Sequence, residues 1–253
     1  MIKLNVNVDH FATLRNARGE KNPDIVFVAQ KAELAGAAGI VAHLRKDRRH
    51  IKDDDVINLK DNIATHLNLE MCVDIVDFAC KVQPTVATLV PENDNEITTE
   101  GGLDVVNSKN VEGVIKQLQD AGIIVSLFIE PDIKQLEKAI QFGTNRVEFN
   151  TNLFAIAFKE NNLVKVKEEM ERIENASKIA VENNIYVAAG HSLNYNNIDE
   201  FAKNMLVKEY NIGHSIVARS VIVGLHNAVK EMIDIIYKSR TFFIKTLNFL
   251  NKR

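Results

Sequence analysis

Gly39-Ile40-Val41-Ala42-His43-Leu44-Arg45-Lys46-Asp47-Arg48-Arg49-His50 is the stretch on which the fold turns. Its first four residues form a short apolar run, the pattern of a buried strand. The next eight carry two histidines and three arginines. Arginine forks grip phosphate and carboxylate through paired hydrogen bonds. Imidazole exchanges protons near neutral pH. A buried strand running straight into such a segment places phosphorylated-substrate chemistry at its C-terminal end. A solvated basic loop is the plainer reading, but solubility does not require histidines.

Outward from this stretch the same plan repeats. Strands are expected at 4–8, 39–44, 67–72, 85–90, 123–129, 146–150, 185–189 and 210–213. Helical patterns are expected at 24–37, 53–65, 74–82, 110–121, 132–142, 164–183 and 198–205, and from about 214 onward. Acidic residues open the 53–65 segment, which suits the helix dipole. Pro131 ahead of the 132–142 segment and Gly143 behind it are ordinary start and stop signals. Strict alternation predicts a parallel sheet with helices outside. Eight such units in 253 residues predict an α/β fold, the (β/α)8 TIM barrel with extra helices. A doubly wound open sheet is the runner-up. No Pro/Ser-rich linker divides the chain, so one domain is expected.

Composition narrows the function classes. The chain is 46% hydrophobic with a net charge of −3, so it can bury a full core and shows no overall positive field for nucleic acid. Two cysteines, Cys72 and Cys80, cannot build a disulfide framework or a four-cysteine zinc site, and they fit a reducing, cytoplasmic setting. The N-terminus enters a strand-like alternation directly, with no leader pattern. No apolar run approaches the roughly 20 residues of a membrane span. No P-loop or GxGxxG motif supports a nucleotide cofactor.

In a barrel of this kind the chemistry belongs at the C-terminal ends of the strands. The polar residues fall there. Asn7 leads to Asp9-His10, the second strand to His43 and Arg45, the third carries Glu70 and the sixth Glu148. The seventh leads to His191, and the eighth to Gly213-His214. Any one of these has a structural reading; Glu70, for instance, is equally readable as a core carboxylate paired with Arg45. The shared bias of the strand ends favours a site, where a dry mouth shifts carboxyl and imidazole pKa values as acid–base catalysis needs. Gly213-His214-Ser215 at a helix start suits an anion. The loop from Pro91 to about Asn107, with Thr98-Thr99-Glu100-Gly101-Gly102, reads as a polar flap. The stretch 240–253 mixes aromatic, aliphatic and basic residues. It reads as a continuation of the last helix packing on the barrel or a partner, with a membrane-surface helix as the alternative.

The longer motifs resemble the pyridoxine 5′-phosphate synthase family. They are Asn7-Val8-Asp9-His10-Phe11-Ala12-Thr13-Leu14-Arg15-Asn16-Ala17-Arg18-Gly19, His43-Leu44-Arg45 through His50, and Asn68-Leu69-Glu70-Met71. Leu89-Val90-Pro91-Glu92, Thr98 through Val105, Ala189-Gly190-His191 and Asn211-Ile212-Gly213-His214 follow. The likeness covers residues 2 to about 238, leaving 239–253 as a C-terminal helical extension beyond a single barrel domain.

The resemblance implies condensation of 3-amino-2-oxopropyl phosphate with 1-deoxy-D-xylulose 5-phosphate. The products are pyridoxine 5′-phosphate, phosphate and water. It implies no metal and no organic cofactor, and a homo-octameric assembly. It makes Glu70 a general base, His43 a proton acceptor and shuttle, His191 a proton donor and Glu148 a stabiliser of charge. Asn7, Arg18, Gly213 and His214 would hold the aminoketone phosphate. Asp9, His10, Arg45, His50 and Thr98 would hold the pentulose phosphate. Ser192 stands where the family usually has glycine; a positive φ there would strain it. The alternatives are another phosphate-binding barrel enzyme, such as an aldolase or isomerase, and a non-catalytic pyridoxine-phosphate sensor. No lysine is convincingly placed for a Schiff-base aldolase, and Glu70, His43 and His191 are all present, which disfavours a sensor.

Overall fold

A computed structural model describes residues 2–92 and 101–250 of the chain. Eight parallel strands close in sequence order into a barrel: β1 (Lys3–Asn7), β2 (Gly39–His43), β3 (His66–Met71), β4 (Val86–Leu89), β5 (Ile124–Ile129), β6 (Arg146–Asn150), β7 (Tyr186–Gly190) and β8 (Glu209–Ile212). β8 pairs back onto β1 with Asn5 beside Asn211. The (β/α)8 expectation holds, and the open-sheet runner-up fails on that closure.

The helices are α1 (Asp9–Arg18), α2 (Ile25–Leu34), α3 (Asp53–Asn62), α4 (Val76–Val82), α5 (Val111–Asp120) and α6 (Ile133–Gln141). They continue with α7 (Asn152–Lys159), α8 (Leu163–Glu182), α9 (Ile198–Phe201), α10 (His214–Val223) and α11 (Leu225–Leu250). Two of these, α1 and α7, have no counterpart in the pattern reading. Only Asp9 and Ala12 of α1 are buried, so it shows no apolar stripe. α7 is short and apolar on most faces, and with α8 it forms a hairpin between β6 and β7. The helix expected at 198–205 stops after four residues. The Asn204 side chain then accepts from the Leu206 N–H and opens a turn.

Alternation sorts each strand into two faces. Leu4, Val6, Ile40, Ala42, Leu67, Leu69, Val147, Phe149, Tyr210 and Ile212 join the apolar layer beneath the helices. The other face lines the barrel and is unusually polar. Asn5 donates to Asn211 at 3.0 Å, and Thr88 donates to Asn68 at 2.7 Å. Arg146 and Glu209 form a buried ion pair, with the Tyr186 ring 4.7 Å from the guanidinium. Arg146 and Glu209 open β6 and β8, so this pair sits at the N-terminal end of the barrel, opposite the βα loops.

α11 packs against α10, α2 and α9. Its Ser239 and Arg240 remain buried. Arg240 donates to the carbonyls of Asn204 (2.6 Å) and Val207 (2.5 Å) and to the Tyr210 hydroxyl (3.1 Å). Beyond Arg240, Phe242, Ile244 and Phe249 are exposed and Phe243 is half-buried. Among the described residues no helix is long and apolar enough to cross a membrane.

Candidate active site

The ends of β1 and β2 are stitched together by Asp9. Its N–H donates to the Asn7 side-chain oxygen (2.9 Å), and its carboxylate accepts from the Asn7 amide (2.9 Å) and the His43 N–H (2.8 Å). Burial pushes the Asp9 carboxyl upward, against the pull of His50 and His10 and of those hydrogen bonds. His43 and His50 lie 5.9 Å apart between ring centres, their planes tilted by 58°. Burial, with His50 and Arg45 adding to it, pushes the His43 imidazole down to about 3. The ring is therefore neutral at pH 7, and its surroundings oppose its protonation. Its Nε2 is buried without a hydrogen-bond partner among the described residues.

Glu70 stands beside His43 in the β2–β3 register. Burial, then the charges of Glu148 and Asp9, raise its pKa well above the usual carboxylate range. Glu148 is raised to about 7 by burial, although the Asn211 side chain donates to it. Asn5 holds Asn211 in turn, so a chain of amides runs from β1 through β8 to the carboxyl on β6. Gly190 leaves the room Glu148 needs: a Cβ there would lie 2.1 Å from Glu148 Oε1.

β7 runs into His191 and Ser192, both left-handed, with φ of 73° and 63°. Ser192 is thus in the conformation that costs a non-glycine residue strain. It is exposed, and its hydroxyl donates to the Asn152 side chain at 2.9 Å. Thr151 donates to the carbonyls of Gly190 and His191, which ties this turn to the end of β6. At β8, Gly213 precedes α10, and a Cβ on it would come within 3.0 Å of the Asn7 Cβ. His214 opens α10 and faces His10 at 5.1 Å between ring centres. The free N–H groups of this helix start are suited to an anion.

Asn7, Asp9, His10, His43, Glu70, Glu148, His191, Ser192, Gly213 and His214 therefore lie at strand ends or the turns just beyond them, on one end of the barrel. His50 joins them from the β2–α3 loop. Arg45 is buried and pairs with Glu92 (3.2 Å) and Asp47 (3.7 Å), which accounts for its burial without Glu70. Arg18 is exposed in the last turn of α1, about 13 Å of helix rise from Asp9. Thr98 lies outside the described residues. The described end of the expected flap is docked: Leu103 N–H donates to Phe128 O (2.7 Å) and Gly102 N–H to Glu130 Oε1 (3.1 Å).

The sequence reading gave no role of their own to Asn5, Asn211 and Gly190, which position Glu148. It also passed over Arg15 and Asn16, which hold the His50 segment. Asn16 donates to the His50 carbonyl at 2.8 Å, and Arg15 donates to it at 3.2 Å while gripping Asp55 with both terminal nitrogens.

Residues 4–238 match the profile described as pyridoxal phosphate biosynthesis protein PdxJ. The chain belongs to the PdxJ family. A relative named pyridoxine 5′-phosphate synthase from Geotalea daltonii is 48% identical over 239 residues, covering 93% of this chain and 99% of the relative. One of the same name from Chlorobium phaeobacteroides is 48% identical over 238 residues, covering 93% and 100%. Among solved structures, the phosphoribosylanthranilate isomerase of Thermotoga maritima aligns with a TM-score of 0.55 at 12% identity, over 94% of this chain and 100% of that one. A 4-hydroxy-2-oxoglutarate aldolase aligns with a TM-score of 0.62 at 11% identity, over 92% and 93%. These two likenesses show the barrel alone; the PdxJ match carries the family.

Proposed function

We propose that this PdxJ-family chain is a pyridoxine 5′-phosphate synthase. It condenses 3-amino-2-oxopropyl phosphate with 1-deoxy-D-xylulose 5-phosphate to give pyridoxine 5′-phosphate, phosphate and water, without metal or organic cofactor. The observation that carries this reading is the grouping of two raised carboxyls, Glu70 and Glu148, with the neutral His43 at the C-terminal end of a barrel whose sequence matches that family. An amine adding to a ketone loses water, which needs an acid. The imine that results needs a base at its neighbouring carbon. Loss of phosphate and addition of water need both again.

In this scheme Glu70 is the base, His43 accepts and relays the proton, and His191 donates one to the departing group. Glu148 offsets charge in an intermediate. Asn7, Arg18, Gly213 and His214 hold the aminoketone phosphate. Asp9, His10, Arg45, His50 and Thr98 hold the pentulose phosphate, and Ser192 contributes at the turn after β7. For Arg45 this requires that its pairing with Glu92 be shared with the phosphate, and for Arg18 that its side chain reach the phosphate from the far end of α1. Residues 1–238 make up the catalytic barrel and the remainder an appended helix. A cytoplasmic homo-octamer is the assembly that goes with the family.

The test is to mix the purified chain with both substrates and follow pyridoxine 5′-phosphate and phosphate together. Matched formation of the two supports the reaction. Glu70→Gln is expected to abolish turnover while fold and substrate binding persist. Wild-type turnover in that variant removes Glu70 from the base role.

A further inference from the structure

Asp9, His43 and His50 each offer one coordinating atom, and these three atoms lie within 4.8 Å of one another. They come from β1–α1, the end of β2 and the β2–α3 loop, so the grouping is tertiary and not a run in sequence. A second observation concerns one of the three residues. His43 is 6% exposed, and its Nε2 has no hydrogen-bond partner among the described residues. From these we infer that the pocket binds a zinc-type divalent cation through Asp9, His43 and His50.

The donor set decides the kind of ion. Two imidazoles and one carboxylate are the borderline ligands that zinc and cobalt take, whereas magnesium and calcium require oxygen. Bonds of about 2.0–2.2 Å set ligands roughly 3.4 Å apart around a tetrahedral ion. The three donors therefore close by about 1.4 Å at most, which side-chain rotation supplies. The Asp9 carboxylate, already accepting from Asn7 and His43 N–H, is oriented as the supporting hydrogen bonds of a ligand usually orient it. The His50 Nδ1 accepts from the Ile51 N–H at 2.9 Å; ligation through Nδ1 gives up that bond, whereas ligation through Nε2 keeps it. A lost neutral hydrogen bond weakens binding by about tenfold, small against what a three-ligand zinc site provides. The fourth position stays open to water.

The binding claim is independent of the proposed reaction. Its consequence rests on that reading: a cation on Asp9 and His50 occupies the place assigned to the pentulose phosphate, and one on His43 blocks the proton relay. Zinc is then an inhibitor of the synthase, competitive with 1-deoxy-D-xylulose 5-phosphate.

The experiment titrates the full-length chain, stripped with a chelator, with Co²⁺ and reads the visible d–d bands of a low-coordinate site. One saturating equivalent is expected, displaced by Zn²⁺. His50→Ala is expected to weaken it more than about tenfold, with the circular dichroism spectrum unchanged because His50 lies in a partly exposed loop. His43→Gln should abolish the bands, and Cys80→Ser should leave them unaltered, separating the site from a thiolate one. No saturable uptake, or an identical spectrum in His50→Ala, overturns the proposal. A bound Co²⁺ that leaves an otherwise active synthase uninhibited overturns the competition and so the overlap with the pentulose phosphate site. Absence of synthase activity with Co²⁺ bound strikes at the proposed reaction and leaves the cation site standing.

Discussion

Glu70 and Glu148 show how the inside of a barrel sets chemistry one residue at a time. Both are pushed upward by burial, and Glu148 further raises Glu70. A base must be ionised to act, so kcat/KM is expected to rise with pH along a limb well above the usual carboxylate range. Glu148→Gln removes one charge that raises Glu70 and should move that limb to lower pH while lowering the rate; a limb that stays in place means Glu70 does not set it. The same shift has a sign for stability. Between the ordinary carboxylate value near 4.5 and the folded value of about 7, the unfolded chain releases the Glu148 proton and the folded chain keeps it. The folded state then binds more protons, and stability falls as pH rises through that window. Urea titrations at pH 4.5 and 7 should show this slope reduced in Glu148→Gln. At this scale the sequence was informative where polar residues ended apolar strands, as with His43 and Glu70. It was silent on Asn5 and Asn211, although a signal was present. Buried parallel strands normally read as continuous apolar runs, and His66-Leu67-Asn68-Leu69-Glu70 alternates instead.

Elements place those residues, and α1 is the one with most leverage. Its first turn supplies Asp9 and His10 to the mouth. Its fourth and fifth residues beyond Phe11, Arg15 and Asn16, hold the segment carrying His50 and link it to Asp55 of α3. If His50 binds the pentulose phosphate, Asn16→Ala should loosen that grip without touching the proton chemistry. The expected outcome is a KM for 1-deoxy-D-xylulose 5-phosphate raised several-fold, with kcat within about twofold and the aminoketone KM unchanged. Equal loss in kcat and both KM values means a general structural role instead. α1 was invisible in the sequence because it has no apolar stripe: its residues are spent on the site and on neighbouring loops. Between β6 and β7 only the 164–183 helix was read, which is α8; α7 was missed because it is short and apolar on most faces, and the turn at Asn161, left-handed at φ 53°, has no proline or glycine to mark it.

The whole molecule divides function and stability between the two ends of the barrel. Arg146 and Glu209 are buried together at the end away from the βα loops. Removing one partner strands a buried charge, at a cost of about 3–5 kcal/mol, whereas replacing both with apolar residues is often neutral. Arg146→Met should lower the melting temperature by roughly 10 °C, and Arg146→Met with Glu209→Leu should recover most of it; equal melting of the single and double variants contradicts this account. The eight-fold alternation made the barrel legible from sequence, because helix and strand periods depend on near neighbours. Where the barrel ends was not legible in that way. The family match stops at residue 238, yet Arg240 caps the carbonyls of Asn204 and Val207 and the Tyr210 hydroxyl, contacts made across some 30 residues of chain. A chain ended after Arg240 keeps those bonds and should therefore hold most of the full-length melting temperature. A chain ended after Lys238 leaves those three acceptors without their charged donor. A hydrogen bond to a charged group contributes a net of about 1.5–3 kcal/mol, and three bonds from one guanidinium are not additive. A net loss of about 2–4 kcal/mol corresponds to a fall of roughly 5–15 °C in a domain of this size. Thermal melts of the two truncations decide it: if they coincide, Arg240 is not what closes the base of β8 against the final helix.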